Sequence, residues 1–271
     1  MPETYLREIG SLFAVFDEHS QDSGNISYGV QVDRQRFFVK TAGDPSDLRP
    51  FLSHKERVSL LHNAVRLRRS CAHSALPQLH NVIESLHGPM LVYDWIEGEL
   101  LHADSATRQQ PQSALQRFRR LPVPEILSAL HHVFELHLEL VQAGWIAVDF
   151  YDGCLIYDFA TRKMQVIDLD MYREGPFVNG MGRMFGSSRF MAPEEFERGA
   201  IIDEKTTVFT MGRTVANLLS DGSLARSAFR GGDGHYSILR RACCASRDQR
   251  FASISEFYAA WLEAGMGALS V

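Results

Sequence analysis

The sequence predicts an α+β fold in two lobes: a small β-rich lobe with one helix over residues 1–97, and a larger, mainly helical lobe over residues 98–271. Three observations predict it. Short strand-like runs dominate the first part, long helical periodicity dominates the remainder, and the change falls near Gly98. Apolar residues make up 45% and charged residues 23% of the 271, a composition with ample core for one large domain or two small ones.

The elements follow in order. "SLFAVF" reads as a strand, and "ISYGVQV" and "RFFVKTA" read as a hairpin about the polar turn "DRQ". "SHKERVSLLHNAVRLRRSCA" reads as a helix that Ser53 can cap, with Val58, Leu61, Val65 and Leu67 as its apolar stripe. "ALPQLHNVIES" and "GPMLVYDWIEG" read as two more strands around "LHG". Past Gly98, "EILSALHHVFELHLELVQAG" is a long amphipathic helix, opened by Pro124 and closed by Gly144. "CLIYDFATRKMQVID" reads as a hairpin, "EGPFVNGMGRMFGSSRF" as an irregular Gly- and Met-rich segment, and "TTVFTMGRTVANLL", "HYSILRRACCA" and "SISEFYAAWLEAG" as helices. Residues 105–120, "SATRQQPQSALQRFRR", read as an exposed insertion where a partner could dock.

Charge and composition narrow the function classes. Net charge is −5 and no long basic run exists, which disfavours nucleic acid as a partner. The densest basic clusters, Arg66, Arg68, Arg69 and Arg117, Arg119, Arg120, read as solvated helix faces. Cys71, Cys154, Cys243 and Cys244 show no metal-ligand spacing and read as reduced structural thiols. "MPETYLREIG" lacks the apolar centre of a signal peptide, and no run of eighteen apolar residues occurs, so a cytoplasmic protein without a membrane segment is expected.

The chemistry-bearing signal lies in "GWIAVDFYDGCLIYDFATRKMQVIDLDMY". Asp149 and Asp168 stand nineteen residues apart, each where an apolar run meets a turn, on either side of the hairpin. A hairpin can bring two such acids together, and paired carboxylates suit magnesium binding and general-base work. Acids that merely terminate two strands explain the same spacing.

"GSSRFMAPEEF", Gly186 to Phe196, resembles the end of the activation segment of protein kinases, and with that anchor other pieces fall into register over about residues 10 to 265. Lys40 in "FFVK" is similar to the lysine of the Val-Ala-Ile-Lys strand. "YDWIEG" resembles the hinge, with Tyr93 as gatekeeper, Asp94 at the first hinge position and Ile96 presenting backbone groups to adenine. Asp149 resembles the catalytic-loop aspartate and Asp168 in "IDLD" the metal-binding aspartate. "TTVFTMG" is similar to the start of the central helix, and Arg250 to the late arginine that pairs with Glu194.

The resemblance implies a bilobal kinase-like fold that moves the γ-phosphate of ATP, with Mg²⁺, onto a protein serine or threonine hydroxyl. Lys40 would hold phosphates, Asp168 the metal, and Asp149 the proton of the attacking hydroxyl. Ser187 could hydrogen-bond the catalytic loop.

Several positions depart from the family pattern. Gly24 and Gly29 stand for a three-glycine loop. The expected glutamate position of the helix falls at Asn63 or Ala64, with Glu56 two turns earlier. Ala147 and Val148 precede Asp149 in place of His-Arg. Tyr151 replaces a lysine and Cys154 an asparagine; Asp152 could replace the latter as a metal ligand if the loop is shortened. Deleting one electrostatic contact to the transferred group costs ~3–4 kcal/mol. Thr207 replaces a helix aspartate that supports the loop. Asp170 replaces a glycine, as in small-molecule phosphotransferases. The rival readings are therefore a pseudokinase, a nucleotide-binding or scaffold module, and a small-molecule kinase.

Overall fold

The computed structural model describes residues 2–17, 19, 23–47, 49–102, 104 and 106–267. The chain is α+β and divides into two compact units, Met1–Glu97 and Gly98–Val271. No helix among the described residues is long and apolar enough to cross a membrane.

In the first unit, helix α1 (Pro2–Ile9) precedes strand β1 (Ser11–Phe16), and then come β2 (Ile26–Val32), β3 (Gln35–Thr41), helix α2 (His54–Ser70), β4 (Leu79–Ile83) and β5 (Met90–Asp94). The sheet is antiparallel in the order β1-β2-β3-β5-β4. Alternation along the strands gives it two apolar faces. Tyr28, Val30, Val39 and Met90 pack with Leu6 of α1 on one face. Leu91 packs with Leu61, Ala64 and Val65 of α2 on the other. The α1 helix is not apparent from its short, charged sequence; one buried leucine fastens it to the sheet.

Ser53 caps α2 in a reciprocal box, its Oγ accepting from the Glu56 N–H while the Glu56 carboxylate accepts from the Ser53 N–H at 2.8 Å. One turn on, Arg57 is wholly buried and donates to the carbonyls of Gly24 at 2.6 Å and Asp44 at 3.0 Å, tying the loops before β2 and after β3 to the helix. Gly24 has φ +79°, and a Cβ there would stand 2.1 Å from the Arg57 guanidinium. Gly29 lies within β2, where a Cβ would stand 2.7 Å from the ring of Phe13. These two glycines thus serve close packing, and only Gly24 belongs to the loop.

The second unit contains β6 (Glu99–Leu100), α3 (Ala114–Arg119), α4 (Val123–Gln142), β7 (Trp145–Ile146), β8 (Leu155–Asp158), β9 (Lys163–Val166), β10 (Arg173–Glu174), β11 (Phe177–Val178), β12 (Ile201–Ile202), α5 (Glu204–Leu219), α6 (Asp233–Ala242) and α7 (Ile254–Gly267). Its core gathers around α4. Phe134 packs edge-on against Phe257 and Trp261 of α7. Pro122 caps α4, Pro124 lies in its first turn, and Gly144 ends it at φ +88°. Strands β6, β8 and β9 form a small sheet.

The segment read as an exposed insertion is exposed over 109–112 and turns inward at its helix. Leu115, Phe118 and Arg119 of α3 are buried, and Phe118 meets the ring of Tyr157 edge-on at 4.8 Å. Six helical residues are too few for their periodicity to stand out among polar neighbours. Ser105, the first residue of that segment, lies outside the described residues. All four cysteines are free thiols, three of them buried.

Replacing Ser53 by Ala should lower stability by about 1 kcal/mol in urea denaturation. Gly24→Ala should cost about 1–2 kcal/mol through its left-handed backbone alone, and more through displacement of Arg57.

Candidate functional site

The site is built on the loop that enters the β8–β9 hairpin. Pairing of Leu155 with Val166 and the bond from the Ile167 N–H to the Cys154 carbonyl at 2.9 Å bring the two hairpin ends side by side. The Cys154 thiol lies 3.5 Å from the carbonyl of Asp149 and 3.9 Å from that of Asp168, so its single hydrogen can serve either. Burial, and then the charges of Asp168 and Asp149, push this thiol well above its ordinary value and keep it neutral. Asp149 and Asp168 both have φ 59°, a left-handed conformation sparse outside glycine. Such strain persists only where the surroundings over-determine it, and it clusters at functional positions. Asp168 is exposed and Asp149 half-buried.

Asp152 has a different place. It is fully buried, and its carboxylate accepts from Arg189 Nη2 at 2.8 Å, His102 Nδ1 at 3.1 Å and Asn217 Nδ2 at 3.4 Å. Burial opposes its ionisation, but the bonds from His102 and Arg189 more than offset this and hold it below the usual carboxylate range. Asn217 Oδ1 accepts in turn from Arg119 at 3.0 Å and Arg189 at 3.3 Å. Burial lowers Arg119 to about 10. Arg119 is therefore an interior residue, not part of a solvated face. With both oxygens engaged, Asp152 anchors the loop, and its expected role as a metal ligand finds no support here. No group of three or more His, Cys, Asp or Glu side chains among the described residues is arranged to hold a metal ion.

The "GSSRFMAPEEF" segment reaches the same loop. A Cβ on Gly186, whose φ is +131°, would stand 3.6 Å from Asp149 Cα. Ser187 accepts through its carbonyl from the N–H groups of Phe190 and Met191. Glu194 is clasped by Arg250 through two bonds of 2.7 and 3.0 Å, and also receives Arg247 and Thr206. The expected pairing of Glu194 with Arg250 is thus present, with two further donors. Thr207 does support the loop despite replacing an acid: its hydroxyl accepts the Ala147 N–H at 3.2 Å. Below the loop, His137 Nδ1 meets the Val133 carbonyl at 2.7 Å, and Nε2 meets the Tyr172 hydroxyl at 2.7 Å.

In the first unit, Lys40 is buried in β3 between Ser27 and Leu91 of the neighbouring strands. Glu56 is engaged in the helix cap. At the alternative positions, Asn63 accepts from Arg66 at 2.7 Å, and Ala64 is buried against the sheet. Tyr93 pairs with Phe38 across the sheet, Asp94 meets His80 at 2.6 Å, and Ile96 follows the end of β5.

Sequence reasoning missed His102, Arg189 and Asn217. Their partner Asp152 lies tens of residues from each, so no local spacing signals them. His137 was findable, because it falls on the apolar face of α4 with Val133, Phe134 and Leu140.

Asp152→Ala should cost about 3–5 kcal/mol in guanidinium denaturation, since it strands buried cationic partners. Burial raises Glu195 from 4.5 to about 8. Its contribution is complete below the unfolded value and lost as pH rises through about 8. Between pH 5 and 9, the parent should therefore lose more stability than Glu195→Gln when both are followed by urea denaturation. In comparisons with known proteins, no family model matches the chain, and no curated protein matches its sequence.

Proposed function

We propose that the chain is an atypical serine/threonine phosphotransferase with a bilobal kinase-like fold. The acceptor oxygen would attack the γ-phosphorus of ATP, the bond to the β-phosphate oxygen would break, and ADP would leave. Asp149 would take the proton of the attacking hydroxyl. Lys40 would hold phosphate oxygens, Asp94 and Ile96 the adenine edge through backbone groups, and Tyr93 would line that position.

What supports this reading is the Cys154 thiol beside the carbonyls of both Asp149 and Asp168, which puts both acids at the base of one hairpin. Asp168 suits Mg²⁺, which takes one or two carboxylates and completes its shell with water and phosphate oxygens. When bound, that ion would neutralise charge developing on the phosphates.

A second reading, a nucleotide-binding or scaffold module, is favoured by two particular positions. Asp152 is enclosed by hydrogen-bond donors, and Cys154 presents a buried neutral thiol, a poor partner for magnesium.

Thermal-shift titration with ATP, with and without magnesium, separates the two. Ligand at about 100 times Kd should add about 2.7 kcal/mol of stability. In a radiolabelled ATP assay with a generic protein acceptor, Asp149→Asn should lose phosphate transfer and keep the magnesium-dependent shift. Transfer by this variant at the parent's rate would remove Asp149 from its role.

A further inference from the structure

One polar group beside the acidic pair is held in place without a use in the fold. The Tyr151 ring is clamped on three sides. His102 meets it edge-on at 5.6 Å, Phe190 does so at 6.4 Å, and it lies over the backbone of Gly153. A Cβ on Gly153 would stand 2.3–2.7 Å from Tyr151 Cε2, Cζ and the hydroxyl oxygen, so only glycine at 153 permits this placement. His102 is itself oriented by Asp152, whose ionised oxygen can only accept, so Nδ1 carries the proton. The clamp is thus an extension of the buried Asp152 network.

The hydroxyl at the end of this fixed ring makes no hydrogen bond to any described residue. The ring contacts would be the same for phenylalanine, so packing does not require the oxygen. Burial, with the charges of Asp149, Asp168 and Asp152, raises the phenol far above its ordinary value. It stays protonated and available as a donor.

We infer that Tyr151 is a substrate-facing residue whose phenol O–H donates a hydrogen bond to an anionic phosphoryl oxygen held at the Asp149–Asp168 loop. The inference rests on the phosphotransferase reading and adds a residue to it. A neutral donor suits a loop already carrying several carboxylates. It stabilises charge on the transferred group without forming an ion pair with Asp149 or Asp168, which would draw a lysine away from the phosphate.

Steady-state kinetics with radiolabelled ATP and a protein acceptor test this on the full chain. Tyr151→Phe keeps the clamped ring and removes the donor. Its kcat should fall about a hundredfold, the loss expected for one donor to a developing anion, with an unchanged KM for ATP and an unchanged melting temperature. Tyr151→Lys, whose ammonium would pair with Asp149 or Asp168, should recover little of kcat. Gly153→Ala, which displaces the ring, should reproduce the Tyr151→Phe loss. A Tyr151→Phe variant with the parent's kcat overturns the inference and leaves the phosphotransferase reading standing. A fall in kcat matched by a fall in melting temperature also overturns it, because the hydroxyl then serves the fold. A parent protein that transfers no phosphate overturns both.

Discussion

A buried carboxylate must be surrounded by donors or it does not remain ionised. The second unit is organised around one such group, Asp152. Its partners come from three separate stretches of chain: His102 after β6, Arg189 in the segment before the Met-Ala-Pro-Glu run, and Asn217 near the end of α5. Arg119 joins through Asn217, donating to its backbone and side-chain oxygens, and Arg213 of α5 holds the Arg189 carbonyl at 2.7 Å. Asp152 is fully buried and takes these donors into the interior, while His102 and Arg189 keep part of their surface exposed. The network therefore ties the loop that carries Asp149 to three distant stretches of chain.

A second constraint acts on the other side of that loop. Cys154 occupies the point where two strand ends converge, and its neutral thiol lies against the two acidic residues' carbonyls without adding charge. The left-handed backbones of Asp149 and Asp168 are held by this convergence and by the hairpin ladder. Aspartate tolerates such a backbone better than most residues, because its short side chain bonds locally. The same loop is fastened from α5 by the Thr207 hydroxyl, a weaker acceptor than a carboxylate.

The first unit solves a similar problem with an arginine. Arg57 lies on the apolar face of α2, four residues before Leu61, and its wholly buried guanidinium takes up carbonyls from two loops. The glycine at 24 is required by that arginine, and the glycine at 29 by an aromatic ring. Phe13 and Phe16 pack with Trp95, and Phe16 with Phe38, so the side of the sheet that carries Gly29 is covered by aromatic rings. Neither glycine announces its reason in the sequence, since both reasons lie in residues distant along the chain.

What the sequence determined by itself was local. The period-2 runs of β1, β2, β3 and β5, the Ser53 cap and stripe of α2, the Pro and Gly ends of α4 and the hairpin after Tyr151 were all legible. Each depends on residues within a few positions of one another. The approach of the Asp149 and Asp168 backbones was legible as one of two alternatives, because a hairpin imposes it. Tertiary structure alone decided that Arg119 and Asp152 lie inside, that α3 joins the core, and that His102 orients toward the loop. Those outcomes depend on whether a buried charge finds donors across tens of residues, and no spacing along a chain encodes that.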